Sequence, residues 1–282
     1  MLDALAAHAL PALVAVALWW GGTALVMRLD GRRPETFAGT MAAATVVLAV
    51  ALCGLSASAA SATVGGAYCA FACAVVVWGW VELSFLTGLI TGARHAEAPP
   101  PGSALSRRFG AAVRAILHHE IALLAAAALV AALTWRGENH TGLWTVLLLW
   151  GMRTSAKLNL FLGVRQPGAE LLPDHLRHLA RHFGPAGASN PLLAVSVLAS
   201  GAVAAALLVA AADPGASRFA ETALTLLGTM AALGALEHAL LAAPLVAPEA
   251  LWGWGLRSRE ANPAAAAPTR PRVPRPGQAT AS

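Results

Sequence analysis

Charge is what this sequence has least of. Of its 282 residues, 12% are charged and 57% are hydrophobic, whereas a soluble domain carries about 25% charged residues. That deficit excludes an ordinary soluble enzyme and a disordered chain. A formal charge of +5 and a pI near 10.0 do not restore a nucleic-acid partner, because no basic cluster stands on a soluble domain. Cysteine is sparse too. Cys53, Cys69 and Cys73 all lie in apolar runs, which supports neither a disulfide framework nor a cysteine-based zinc site. Internal repeats, a phosphate-binding glycine loop, a nucleophile elbow and a Ser-His-Asp order are all missing. The N-terminus lacks the basic region of a cleavable signal, with Asp3 as its only charged side chain before Arg28. Its first apolar run is as long as a membrane span, so no cleaved leader is expected.

Long apolar runs fill the space left by charge. A helix needs about 20 apolar residues to cross a bilayer. Seven segments qualify, near 9–27, 37–58, 64–90, 113–134, 142–163, 192–212 and 219–243. They are apolar on all sides rather than alternating, so an all-α polytopic transmembrane bundle is expected and a β-barrel is not. The basic residues set its orientation. Seventeen of the 19 Lys and Arg residues fall in alternate loops and the C-terminal segment, and only Arg136 and Arg218 fall on the other side. This predicts a periplasmic N-terminus and a cytoplasmic C-terminus. Residues 1–257 form the membrane domain, and the Pro/Ala/Arg-rich tail 258–282 is read as disordered. The stretch 95–109, with three consecutive prolines, reads as a stiff extended connection. A short amphipathic helix is predicted near 173–183, opened by Pro173 and Asp174 and stopped by Gly184 and Pro185. Its Leu176 and Leu179 among Arg177, His178, Arg181 and His182 suit a place in the membrane interface.

Ionisable residues inside spans are costly and therefore point to function. They are distributed unevenly: Glu82 in span 3, His118, His119 and Glu120 in span 4, Arg153, Lys157 and Asn159 in span 5, Glu237 and His238 in span 7. Counting along the helices at about 1.5 Å per residue puts them all in the cytoplasmic half. Three chemistries use such residues. The first is a polar network, in which Glu82, Glu120 and Glu237 pair with Arg153 and Lys157 while Asn159 and the histidines fill hydrogen-bond gaps. The second is a metal site of the di-iron carboxylate kind, built from Glu82, His118 or His119, Glu120, Glu237 and His238, with His175 or His178 reaching in from the loop helix. Against it, the Glu-x-x-His pair of such centres is absent, and neighbouring residues on a helix point about 100° apart. The third is ligation of a haem-type or bacteriochlorophyll-type tetrapyrrole by His119 or His238. Trp78, Trp80 and Trp150 would pack on the macrocycle, although tryptophans near the interface, Trp252 and Trp254 included, more often anchor a helix. His8 and His140 are expected in solvent at the outer face. Asn139-His140-Thr141 fits a glycosylation sequon, a three-residue pattern of low specificity.

Several of these segments carry a family resemblance. WGWVELSFLTG, the HHE run of span 4, SAKLNLFLGVR, LLPDHLRHL, SNPLLAVSV, LEHALL and ALWGWGL resemble, in order, the photosynthetic complex assembly protein 2 family, the PuhE proteins of purple phototrophic bacteria. The likeness covers roughly residues 10–257 and leaves the tail outside. It implies a multi-pass protein of the inner membrane, or of the intracytoplasmic photosynthetic membrane, in contact with lipid. It implies an assembly factor for the reaction centre or antenna, with their subunits or pigment-synthesis proteins as partners and a link to bacteriochlorophyll supply. No defined reaction and no catalytic residue come with it. Glu82, His119, Glu120, Arg153, Asn159, His175, Glu237 and His238 are carried over only as positions where the motifs stand. The alternative function is a membrane metalloenzyme, with iron at the Glu/His cluster, acting on a tetrapyrrole or another hydrophobic substrate.

Overall fold

The computed structural model describes residues 2–92, 99–100, 102–187 and 190–243. Among the described residues the regular structure is entirely helical. Seven long helices follow one another: α1 (Leu2–Asp30), α2 (Phe37–Ser58), α3 (Val64–Leu86), α4 (Leu105–Thr134), α5 (Thr141–Leu162), α6 (Pro191–Ala211) and α7 (Arg218–Ala242). All but α5 are long and apolar enough to cross a membrane. α5 has 22 residues, about 33 Å at the helical rise, but Arg153, Lys157 and Asn159 lower its hydropathy. The tail and the Trp252–Trp254 segment lie outside the described residues.

Helix boundaries follow local chemistry. Thr63, Asn190 and Ser217 cap α3, α6 and α7, each side-chain oxygen accepting a backbone N–H of the first turn. α3 stops at Leu86, earlier than its apolar run suggests. Gly88 there takes a left-handed φ of 77°, and the amides of Leu89 and Ile90 both turn back onto the Ser84 carbonyl. α4 begins at Leu105, two turns before its apolar run, because hydropathy marks the greasy part of a helix and not its hydrogen-bonded length.

α3 is the hub. It packs against α1, α2, α4, α5 and α7, while α6 lies on the far side of α7. Two apolar clusters flank it. In one, Leu55 of α2 and Val77 of α3 meet Val130 of α4 and Val146 of α5. In the other, Ala15 of α1 and Phe71 of α3 meet Leu226 and Met230 of α7. Small residues permit the close approaches. A Cβ on Gly142 would stand 2.4 Å from a Leu55 methyl, and one on Gly234 would stand 2.0 Å from the Met152 sulfur.

The loop segment 174–182 departs from its expected form. It is a 3₁₀ helix, Asp174–His182, in which residues three apart eclipse. Leu176 and Leu179 therefore line up. They are buried against Phe85 and Ala115, so the apolar stripe plugs the ends of α3 and α4 instead of lying on lipid. His175 Nε2 donates to the Leu86 carbonyl at 2.8 Å, fastening the plug.

Two outer-face expectations are also revised. His8 is not simply solvated: its Nδ1 lies 3.1 Å from the Thr225 hydroxyl and its Nε2 3.4 Å from Glu221, joining α1 to α7. Asn139 is wholly buried. Its amide donates to the carbonyls of Ser58 and Ser61, and its Oδ1 accepts the Thr141 amide. The sequon is thus closed to a glycan, and Asn139 instead ties the α4–α5 turn to the α2–α3 turn. Asn139→Ala should lower stability by about 1–3 kcal/mol, since it leaves buried carbonyls without donors. The thermal unfolding midpoint of the purified protein in detergent measures this.

Candidate functional site

The intramembrane ionisable residues are brought together by α3, α4, α5 and α7. Measured from the bundle end that holds Val64, Thr134, Thr141 and Arg218, Arg153 lies about 18 Å along, His119 about 22 Å, and Glu82 and Glu237 about 27–28 Å. At that rise the four side chains span a zone about 10 Å deep.

Glu82 stands one turn before the end of α3. Its Oε2 accepts from Arg153 Nη2 of α5 at 3.1 Å. One turn further along α5, Lys157 Nζ donates to Glu120 Oε1 of α4. The i, i+4 spacing of Arg153 and Lys157 puts both cations on one side of α5, and each takes a carboxylate from a different neighbouring helix. Glu237 of α7 accepts the Trp19 indole N–H of α1 at 3.1 Å. Three carboxylates thus face two cations, and the third is held by a neutral donor. The Arg153 side chain remains 43% exposed and that of Glu82 11%, so the pair reaches from the bundle interior to its outer surface.

His119 is the exception to this pairing. It is completely buried, with its ring 4.4 Å from that of Phe85. Its Nε2 is 3.9 Å from Glu82 Oε1, too far for a hydrogen bond. Among the described residues, both His119 ring nitrogens and Glu82 Oε1 lack a hydrogen-bond partner, as do the buried Trp150 Nε1 and Thr154 Oγ1. The backbone amide of His119 donates to Thr91 at 2.8 Å, so the loop after α3 fixes the turn of α4 that carries it. His118, about 100° round the helix, is exposed.

His238 is placed differently from His119. Its Nδ1–H donates to Gly234 O at 2.7 Å, and its Nε2 is 3.1 Å from the Ser155 hydroxyl. The Ser155 hydroxyl also lies 2.8 Å from that of Ser196 of α6, and Asn159 donates to the Ser155 carbonyl and the Ser196 hydroxyl. Asn190 donates to Asn159 Oδ1. This chain joins α5, α6 and α7. Of its members, Asn159 and His238 stand out in the sequence as polar residues within spans, whereas Ser155, Ser196 and Asn190 do not. Serines in apolar helices and an asparagine before a helix-opening proline were the available signal.

The metal candidates do not converge on one centre. Among the described residues no group of three or more His, Cys, Asp or Glu side chains is placed to hold an ion. His119 and Glu82 form the closest pair. Glu120 is engaged by Lys157 and Glu237 by Trp19, while His178 Nδ1 donates to the His175 carbonyl. For a tetrapyrrole ligated by His119 the fit is poor, because Phe85 covers the ring and Glu82 stands in front of Nε2.

Fold and site together define a helical, multi-pass membrane protein with an ion-pair belt inside the bundle. The chain belongs to the family described as "Protein of unknown function (DUF3623)", whose model matches residues 5–263. It is 39% identical over 276 residues to a Rhodobacter capsulatus protein named "Uncharacterized 30.4 kDa protein in puhA 5'region", a match covering 94% of this chain and 97% of the relative. No solved structure matches.

Removing one member of a buried ion pair strands the other. Arg153→Met should therefore destabilise the protein by about 3 kcal/mol, because it leaves the buried Glu82 without its counter-charge. The double variant Arg153→Met/Glu82→Leu should recover most of the loss. Urea or thermal unfolding of both variants checks the coupling.

Proposed function

We propose that this chain is an integral membrane assembly factor for the bacterial photosynthetic reaction centre or antenna complex, acting on bacteriochlorophyll supply or delivery. The position of the relative's gene, in the 5' region of puhA, carries this reading. The match runs along nearly all of both chains, and it agrees with the motif resemblance to photosynthetic complex assembly proteins. The internal chemistry is compatible with a binding role: the carboxylates and cations of the belt are mostly taken up with one another. The protein sits in the inner membrane or the intracytoplasmic photosynthetic membrane. Its partners are reaction-centre or antenna subunits, or enzymes of pigment synthesis.

All seven long helices cross the bilayer in this reading, with the N-terminus outside and the C-terminus in the cytoplasm. The loop distribution of Lys and Arg supports that orientation. α5 is included because α3 and α4 supply its two cations with carboxylates. Deleting the gene in its own phototrophic host should lower reaction-centre absorbance several-fold while leaving respiratory growth unchanged. Normal levels of reaction centre and antenna in the deletion strain would refute the proposal.

One observation favours a second reading, a metalloenzyme with iron at the Glu/His cluster acting on a tetrapyrrole or another hydrophobic substrate. His119 and Glu82 are buried side by side with three polar atoms lacking hydrogen-bond partners among the described residues. The two groups supply two metal ligands, and an ion there would need others from solvent or substrate. Protein isolated from its own membrane should carry stoichiometric iron in this reading and lose it on His119→Ala. An iron-free preparation that still supports complex assembly rules it out.

A further inference from the structure

Where α4 begins and α5 ends, the bundle holds a recess of about 30 Å³ lined by Pro99, Arg108, Phe161, Arg181 and His182. Such a volume admits one small group and not a cofactor. Two arginines reach it from elements distant in sequence: Arg108 from the first turn of α4, Arg181 from the end of the 3₁₀ plug. The Arg108 guanidinium lies over the Phe161 ring, 5.6 Å from its centroid. Phe161 is itself braced edge-on by Phe109 at 5.5 Å. A guanidinium stacked in this way is held in place with its N–H edge still available to an anion.

Neither Arg108 nor Arg181 forms an ion pair among the described residues. The neighbouring Arg177 does, with Asp174 at 2.9 Å. α4 adds its positive end here, since Ala104 at the cap position supplies no side-chain hydrogen bond. On the same two helices Phe109, beside Arg108, is 43% exposed, Leu158, deeper along α5, is 36% exposed, and Leu162, at the end of α5, is 40% exposed. Leu158 lies one turn below Phe161 and so shares its face. A paired guanidinium site above an exposed apolar strip matches an amphiphile better than a free ion.

We infer that this recess binds the phosphate of an anionic phospholipid of the adjoining leaflet, with its acyl chains running down over Phe109 and Leu158. Arg108 and Arg181 grip the phosphate from two sides. The lipid thereby bridges the start of α4 to the 3₁₀ plug.

Native mass spectrometry of the full-length protein, released from micelles holding equal phosphatidylglycerol and phosphatidylcholine with identical acyl chains, tests this. Both lipids offer the same phosphate, but choline brings a second cation up against the two arginines, so phosphatidylglycerol should be retained over phosphatidylcholine by about tenfold. Arg108→Gln/Arg181→Gln should bring the two lipids close to parity, and Arg177→Gln should not. If the double variant loses its helical circular dichroism, Arg181→Gln alone, on an exposed turn, carries the test with the same sign. Equal retention by the wild type overturns the proposal. An equal loss in Arg177→Gln also overturns it, since it assigns the preference to diffuse surface charge. Binding of glycerol phosphate that depends on the same two arginines, without any preference among lipids, replaces the lipid with a soluble phosphate ester.

Discussion

A carboxylate inside a helix bundle surrounded by hydrocarbon must find its counter-charge within the protein. That requirement organises this molecule. Glu82 and Glu120 sit on helices adjacent to α5, and α5 answers them with Arg153 and Lys157 one turn apart. The hub position of α3 follows from this: it must touch α4 for the loop that runs beneath His119 and α5 for Arg153, while its first half packs Phe71 against α7. Apolar packing alone would tolerate many rotations of α5. The two ion pairs select one.

The same constraint separates the two buried histidines. His238 is fully employed: it spans from its own helix backbone to Ser155, and through Ser155 to α6. It acts as a structural hydrogen-bonding unit between helices. His119 occupies an equally buried position but gives its ring nitrogens nothing among the described residues, and it faces the unbonded oxygen of Glu82. Within one bundle, then, one imidazole is spent on cohesion and the other is left chemically open.

The helices could be read from composition and hydropathy because a span must be apolar all round, and such a run has few other uses. Glu82, Arg153, Lys157 and Glu120 could be found for a related reason, since charges in those runs stand out. Their pairing could not be read. Glu120 and Glu237 are equally eligible partners for Lys157 until the rotation of each helix is known. Serines were harder still: Ser155 and Ser196 cost little in an apolar helix, so nothing in the sequence marks them as the hinge of a network. Local patterns misled where tertiary contacts took over. Asn139 matched a surface motif yet became a buried tie between two turns. The Leu176/Leu179 stripe, suited to lipid, was claimed by Phe85 and Ala115 because the end of α3 left an apolar gap there.

The order of the charges along the chain has a consequence for biogenesis. α5, the one long helix that falls short of a membrane span by hydropathy, carries Arg153 and Lys157 well inside its length. Both of its carboxylate partners, Glu82 and Glu120, are synthesised before it. When α5 leaves the ribosome, its counter-charges are already waiting in the helices that preceded it. A segment too polar to partition into lipid alone can then enter by docking onto its own earlier neighbours, and the direction of translation becomes part of what makes the bundle attainable.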